Sequence, residues 1–165
     1  MQLVIRNRQR SRTVNVPLLR QIIKALLTDD LKTPDADLGI FLVAAPEMTR
    51  VNETFLQHGG STDVITFDYG EVGTGNRKTP TAIHGELFVC VDEAIIQARK
   101  FRTSWQSEVV RYVVHGVLHL VGHDDRKAAA RRAMKVVENK TLAGLGAKFN
   151  FLRLDKGRKG PRLTA

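Results

Sequence analysis

Apolar residues are arranged in two ways along this chain, as short continuous runs and at intervals of three or four positions. The changes between these two arrangements mark the predicted elements. Short apolar runs of strand character are residues 2–5, 38–44, 64–67 and 83–91. Elsewhere, apolar residues recur every three or four positions, which places them on one face of a helix. This spacing predicts five helices: one from Pro17, one from Pro46 to Phe55, one after an N-cap at Asp92, one from about residue 103, and one from Lys127 to about Leu142, ending near Gly144.

The fourth predicted helix is apolar over much of its surface and includes Val109, Val113 and Val117. Such a helix is expected to be central and buried. We therefore predict an α+β fold, a single compact domain in which a mixed sheet of about four strands packs with about five helices. That domain is expected to span residues 1–152. Residues 153–165 are rich in Lys and Arg and contain Gly and Pro, so a basic, mobile tail is predicted there.

The end of the fourth helix carries the most informative motif, residues 115–125 with the sequence HGVLHLVGHDD. His115 and His119 are four residues apart, so their imidazoles lie on the same helical face and can bind one metal ion. His123 continues the repeat, but eight helical residues span about 12 Å, too far for all three histidines to reach one ion. Gly122 is suited to end the helix in a left-handed turn. A third ligand could then approach the metal from the returning chain.

Three residues after Gly122 are candidates for that third ligand, namely His123, Asp124 and Asp125. Asp125 is favoured because three residues past the glycine give the chain room to reverse. The alternative is that the histidines only decorate an amphipathic helix. A three-ligand ion of this kind keeps an open position for water, which is typical of a catalytic site.

Charge and composition narrow the substrate class. The chain of 165 residues has a formal net charge of +9, which favours polyanions such as nucleic acid over neutral substrates. A basic cluster on the last helix, Arg131-Arg132 with Lys135, extends this charge, although a solvated helix face is the simpler interpretation. The single cysteine, Cys90, is interpreted as a small core residue. Without a membrane-length apolar run or a signal-peptide pattern, a cytoplasmic protein with no membrane partner is expected.

Residues 115–125 resemble the signature His-Gly-x-Leu-His-Leu-x-Gly-(Tyr/His)-Asp-His of the YbeY family, bacterial endoribonucleases of ribosomal RNA maturation. Residues 51–55 and 61–67 (VNETF and STDVITF) and residues 85–91 (GELFVCV) are similar to further family elements in the expected order. The resemblance covers residues from about 40 to 126. It implies the same layout, processing near the 3′ end of small-subunit ribosomal RNA, and a role in ribosome quality control.

The chain departs from the family's pattern at two positions. Asp125 stands where the family usually has a third histidine; aspartate is an acceptable zinc ligand, but an oxygen donor can alter the metal preference. Leu56 stands where the family commonly has an arginine thought to meet the RNA. Leucine cannot bind phosphate, so another cation such as His58 is a candidate for that contact.

The predicted function is a metal-dependent endoribonuclease whose partner is ribosomal RNA, either free or within a ribosomal subunit. One divalent ion, zinc by preference, would be held by His115, His119 and Asp125, where it lowers the pKa of bound water and polarises a phosphoryl oxygen. His123 and Asp124 are candidates for proton transfer or ligand support, with ordinary turn chemistry as the alternative. The substrate-binding candidates are His58, Thr62, Asp63 and His84.

Two other functions remain open at this stage. One is a non-catalytic RNA-binding ribosome assembly factor with a structural zinc, which Leu56 makes a serious rival. The other is a zinc peptidase or amidase. Zinc peptidases of the His-Glu-x-x-His type place a glutamate after the first histidine as general base. Gly116 occupies that position here, and together with the basic charge it disfavours a peptidase.

Overall fold

A computed structural model of the chain describes residues 1–70 and 82–157. Within these ranges it has four β-strands and five α-helices, so the predicted α+β class is confirmed. The strands are β1 (Gln2–Asn7), β2 (Asp35–Val43), β3 (Val64–Asp68) and β4 (Ala82–Cys90). The helices are α1 (Val16–Ala25), α2 (Ala45–Val51), α3 (Val91–Phe101), α4 (Trp105–Leu120) and α5 (Ala128–Lys148). Single turns of π-helix extend α1 over Leu26–Asp30 and α2 over Asn52–Leu56, and a 3₁₀ turn follows over Phe151–Leu154.

The four strands form one mixed sheet in the order β1-β2-β4-β3. β1, β2 and β4 are parallel, and β3 is antiparallel to β4 at one edge. In β2 and β4 every second side chain is buried on the face that packs against the helices, as in Leu38, Ile40 and Leu87. Alternate burial of this kind is the geometry of a strand with one face against a helical layer.

Helix α4 is the central helix of the fold. Eleven of its sixteen residues are buried, and it packs on β3 and β4 as well as on α3 and α5. Its N-terminus is capped by Ser104, whose side-chain oxygen accepts a hydrogen bond from the Ser107 N–H at 3.1 Å. The C-terminus of this well-anchored helix is where the predicted metal motif lies, so the motif rests on a rigid element.

The prediction that Asp92 caps its own helix is wrong. Helix α3 begins one residue earlier, at Val91, and its N-cap residue is Cys90. Asp92 instead reaches the first turn of α2, where its Oδ2 accepts a hydrogen bond from the Ala45 N–H at 2.7 Å, and it also bonds Ser11. Asp92 therefore caps a neighbouring helix, which local sequence does not reveal.

The last helix is longer than predicted. It continues past Leu142 and through Gly144 to Lys148, because Leu145 is fully buried in the core. The described structure also includes the first residues of the predicted tail, 153–157. Leu154 is fully buried, and Asp155 forms an isolated antiparallel bridge with Val14. The remainder of the predicted tail, residues 158–165, lies outside the described residues.

Candidate metal centre

The end of α4 has the geometry that its glycine predicts. Val121 is the C-cap residue and Gly122 has φ of +103°, in the region that favours glycine. The Gly122 N–H bonds the His119 carbonyl, and the His123 N–H bonds the Leu118 carbonyl, both at 3.0 Å. This pair of bonds is a Schellman motif, which ends the helix and reverses the chain. The reversal brings Asp125 back over the two histidines.

Three side-chain donor atoms converge beside this turn. His115 Nε2 and His119 Nε2 are 3.1 Å apart. Asp125 Oδ2 is 3.4 Å from His119 Nε2 and 3.7 Å from His115 Nε2. Metal–ligand bonds of about 2.0–2.1 Å in a tetrahedral arrangement put ligand atoms roughly 3.4 Å apart. The spacing of the three atoms therefore fits a single small cation such as zinc, with one coordination position left over.

Hydrogen bonds hold the two imidazole rings in place for this role. His119 Nδ1 is 3.0 Å from the His123 carbonyl oxygen, and His115 Nδ1 is 2.9 Å from Glu138 Oε2. Because both acceptors lack a proton, each Nδ1 is the donor, and in the neutral form of each ring Nε2 carries a lone pair. Two lone pairs and a carboxylate oxygen facing one another form the donor set of a cation site.

Glu138 is the residue of this site that sequence reasoning missed. Its side chain is only 4% exposed, and besides His115 it contacts Arg111 at 2.7 Å and Lys135 at 3.2 Å. Burial alone would raise its pKa, but the hydrogen bonds from His115 and Arg111 and the charge of Lys135 lower it to about 2. In return, the hydrogen bond to Glu138 raises the pKa of His115 despite the burial of its ring. Glu138 is therefore an ionised, buried anchor for the first histidine.

The other two candidate residues of the turn, His123 and Asp124, are not part of the group of three donor atoms among the described residues. Asp124 is exposed, and its Oδ1 accepts a hydrogen bond from the Arg126 N–H at 3.0 Å. That bond, with the nearby Arg126 charge, lowers the pKa of Asp124. His123 contributes its main-chain carbonyl to His119, and its imidazole is not among the donor atoms that converge in the described part of the chain. Both residues thus have structural tasks in the turn.

The candidates for substrate binding fall in different places. Asp63 lines the cavity beside the metal centre together with His115 and Asp125. Thr62 lies next to it, with its hydroxyl 3.3 Å from Asp63 Oδ1. His58 is exposed in the turn after α2 and is not among the residues that line this cavity. His84 is exposed on β4, where it contacts Tyr69 and Asp37 on the face of the sheet opposite α4.

The cavity has a volume of about 410 Å³ and opens between α4, α5 and the start of β3. This volume lies within the range of small-molecule sites. Its lining also includes Met134, Arg131, Arg132 and Lys135 from α5. A ligand in the cavity would therefore contact the metal centre on one side and cationic side chains on the other.

Gly116 is buried, and the sheet leaves no space at this position for a side chain. A Cβ atom there would lie 2.6 Å from Leu87 Cδ2 and 3.1 Å from Thr66 Oγ1. Leu87 is itself fully buried. The position that carries the general base in zinc peptidases of the His-Glu-x-x-His type is thus sterically closed.

Comparison with known proteins gives these residues a family context. The sequence model described as Endoribonuclease YbeY matches residues 4–146. The chain belongs to the YbeY family. A YbeY endoribonuclease of Bacteroides fragilis is 38% identical over 107 residues, which is 65% of this chain and 71% of the relative. A YbeY endoribonuclease of Salinibacter ruber is 34% identical over 133 residues, 80% of this chain and 84% of the relative.

The fold also matches a solved structure. A protein of Thermotoga maritima determined in solution superimposes with a TM-score of 0.65 at 22% sequence identity, covering 97% of this chain and 98% of that one. At this identity the likeness supports the fold alone. It confirms that the single α+β domain of this YbeY member is shared by a protein of distant sequence.

The spacing of apolar residues on α5 could have drawn attention to Glu138, although not to its partner. On α5, the buried positions Met134 and Leu145 mark an apolar stripe on a highly charged helix, and Glu138 lies four residues after Met134 on the same stripe. A buried glutamate requires a partner, and a histidine on the neighbouring helix is a suitable one. Which neighbour that helix packs against is a tertiary property, so the pairing was not visible in the sequence.

Proposed function

We propose that this protein is a metal-dependent endoribonuclease that acts on ribosomal RNA, with zinc as its divalent ion. The observation that supports this most is the convergence of His115, His119 and Asp125 beside a cavity lined with cations. The names of the matched relatives support the same activity. Among the described residues, no helix is long and apolar enough to cross a membrane; the cytoplasmic location stays a prediction.

In this proposal each residue has a distinct task. His115, His119 and Asp125 hold the ion, which supplies an activated water and polarises a phosphoryl oxygen when bound. Glu138 and the His123 carbonyl fix the two rings so that Nε2 of each faces the ion. Asp63 borders the cavity, which supports its assignment as a substrate-binding residue. Leu56 is 43% exposed and carries no charge, so phosphate contacts must come from other side chains.

The metal itself is tested by element analysis of the purified protein. We expect one zinc per chain in the wild type and loss of most of it in Asp125→Ala, because two imidazoles alone make a weaker site. Equal metal content in both proteins would assign the third ligand elsewhere, with His123 as the remaining alternative.

The activity is tested on single-stranded RNA and on precursor small-subunit ribosomal RNA. We expect the zinc-loaded wild type to cleave RNA, and His115→Ala, purified in parallel, to be inactive. Because traces of other nucleases are a common artefact, equal cleavage by wild type and His115→Ala would refute the proposal. Casein serves as the substrate for the peptidase alternative, which the closed position at Gly116 disfavours.

A non-catalytic assembly factor would give a different pattern. In that case the wild type would bind zinc and RNA but would cleave neither RNA nor casein. The His119→Ala variant would be less stable than the wild type, while ribosome maturation continued. Measuring thermal stability and cleavage on the same variants therefore separates the two functions.

A further inference from the structure

The wall that α5 contributes to the cavity is strongly cationic. Arg131, Arg132 and Lys135 line the same cavity as the proposed metal ligands His115 and Asp125. Positions 131, 135 and 138 are separated by four and three residues, so they follow one face of α5. The carboxylate that anchors His115 and the cationic side chains therefore lie on the same helical face.

Two of the cations that line the cavity, Arg131 and Arg132, form no salt bridge with a carboxylate in the described residues. Arg111 donates to Glu138 and to Asn139, and Lys135 also contacts Glu138. Arg131 and Arg132 are exposed, and in the part of the chain that the structure describes neither takes part in a salt bridge. Their guanidinium groups are thus available to an anionic ligand, and the planar fork of guanidinium matches phosphate.

An apolar surface lies beside these cations. Met134 lines the same cavity but is only 2% exposed, so the apolar surface open to a ligand comes from the aliphatic stems of the Arg131, Arg132 and Lys135 side chains. A nucleotide offers a phosphate for the guanidinium groups and an apolar sugar or base for these stems. A purely solvated helix face would lack both the enclosed volume and the apolar lining.

We propose that Arg131 and Arg132, supported by Lys135, bind the phosphate backbone of a single-stranded RNA segment next to the metal centre. This inference rests on the proposed function, which it deepens by assigning the substrate's path. The strand enters between α4 and α5, its backbone held by α5 while one phosphodiester faces His115, His119 and Asp125. The α5 wall therefore positions the RNA but performs no chemistry.

The test measures RNA binding as a function of salt concentration. The probe is a 2′-O-methyl RNA oligonucleotide of about ten nucleotides, chosen to resist cleavage and to fill a typical single-strand site. The zinc-loaded wild type is compared with Arg131→Ala/Arg132→Ala. Each phosphate contact to single-stranded RNA contributes about 0.7 to the slope of log affinity against log salt, so loss of two contacts lowers the slope by about 1.4. At about 0.15 M salt the same loss weakens binding about tenfold.

A matched control removes two positive charges elsewhere. Lys140 lies on α5 and Lys100 on α3, and neither is among the residues that line the cavity. Lys100→Ala/Lys140→Ala should keep the wild-type slope. The conservative variant Arg131→Lys/Arg132→Lys should retain most of it, since the charge remains.

The outcomes separate this inference from the function on which it rests. A lower slope in the alanine variant alone, with zinc content unchanged, supports the cationic wall. An equal drop in the variant and in the control means that only overall charge matters and overturns the inference. If the wild type cleaves RNA and the alanine variant binds it unchanged, the proposed RNA contact of Arg131 and Arg132 is refuted, while the proposed endoribonuclease activity is supported. If the wild type neither binds nor cleaves RNA, the proposed function itself has failed.

Discussion

Glu138 is 23 residues from His115 along the chain, yet its Oε2 lies 2.9 Å from His115 Nδ1. A carboxylate at this distance orients a metal-binding imidazole and raises its basicity. The two other partners of Glu138, Arg111 and Lys135, keep it ionised. Residues beyond the direct ligands thus decide how well this centre holds a cation.

Replacing this carboxylate should weaken the metal site. We expect Glu138→Gln to lower zinc affinity by about 10- to 100-fold, because the neutral amide orients His115 less firmly and does not raise its basicity. Competition with a chromophoric chelator measures the affinity directly. The exposed Glu53→Gln is the control and should bind zinc like the wild type; an equally tight Glu138→Gln would contradict the role given to Glu138.

The same residue predicts how stability depends on pH in the metal-free protein. The folded state lowers the pKa of Glu138 to about 2, so its contribution is present above the unfolded-state pKa near 4.3 and is lost as the pH falls toward 2. The difference in unfolding free energy between wild type and Glu138→Gln should shrink by up to about 3 kcal/mol between about pH 5 and about pH 2. Urea unfolding over this pH range checks the trend, and a difference independent of pH would show that folding does not lower the pKa of Glu138.

At this scale the sequence predicted the positions that depend on local spacing. His115, His119, Gly122 and Asp125 are close in sequence, and helix geometry alone brings them together once the helix ends at the glycine. Glu138 depends on the packing of α5 against α4, which local spacing does not specify. The helix propensity of glutamate explains its presence on α5 just as well without any partner.

Among the elements, the junction after α4 is the one on which the centre depends. Gly122 has φ of +103°, and an added Cβ would meet no atom within 4 Å, so the cost of a side chain there is conformational. Gly122→Ala should lower the unfolding free energy by about 1–2 kcal/mol. It should also weaken zinc binding, because the returning chain carries Asp125.

A second glycine provides the matched control within the same experiment. Gly144 lies inside α5, and an added Cβ would likewise meet nothing within 4 Å. Gly144→Ala should raise the unfolding free energy by up to about 1 kcal/mol, since alanine favours the helix. If Gly144→Ala were destabilising instead, the continuation of α5 beyond Leu142 would be in doubt.

The error in predicting the end of α5 has a physical explanation. Glycine was interpreted as a stop signal, but the burial of Leu145 against the core offsets its helix cost of about 1 kcal/mol. The strands were easier to predict because their alternation of buried and exposed residues is itself the packing pattern. The N-cap predicted at Asp92 and the stop predicted at Gly144 failed for the same reason, because tertiary contacts of Asp92 and Leu145 override the local signals.

For the whole molecule, the segment after α5 packs against the segment that precedes α1. Leu154 is fully buried, and the Asn15 N–H bonds its carbonyl at 2.8 Å. Leu154→Ala should cost about 2–5 kcal/mol because it leaves a cavity in the core. Leu152 lies on the same turn and is 45% exposed. The Leu152→Ala substitution should therefore change the unfolding free energy by no more than about 0.5 kcal/mol. Thermal or urea unfolding of both variants compares them, and equal effects would place Leu154 outside the core.

The net charge of +9 predicted a polyanionic substrate, but a net charge does not indicate which surface of the protein binds it. The structure places Arg131, Arg132 and Lys135 at one cavity. The sequence showed these residues only as a cluster on a helix. The direction of that helical face, like the partner of Glu138, depends on how α5 packs.

The tight contact at Gly116 has a consequence for how this scaffold could change its chemistry. Introducing a glutamate after His115 requires space that Leu87 and Thr66 now fill, so the substitution alone would disturb the central sheet before it supplied a base. Directed evolution toward protein cleavage would first have to select smaller side chains on β3 and β4. A hydrolase for amide bonds is thus separated from this sequence by an ordered series of steps, the earliest of which bring no catalytic advantage.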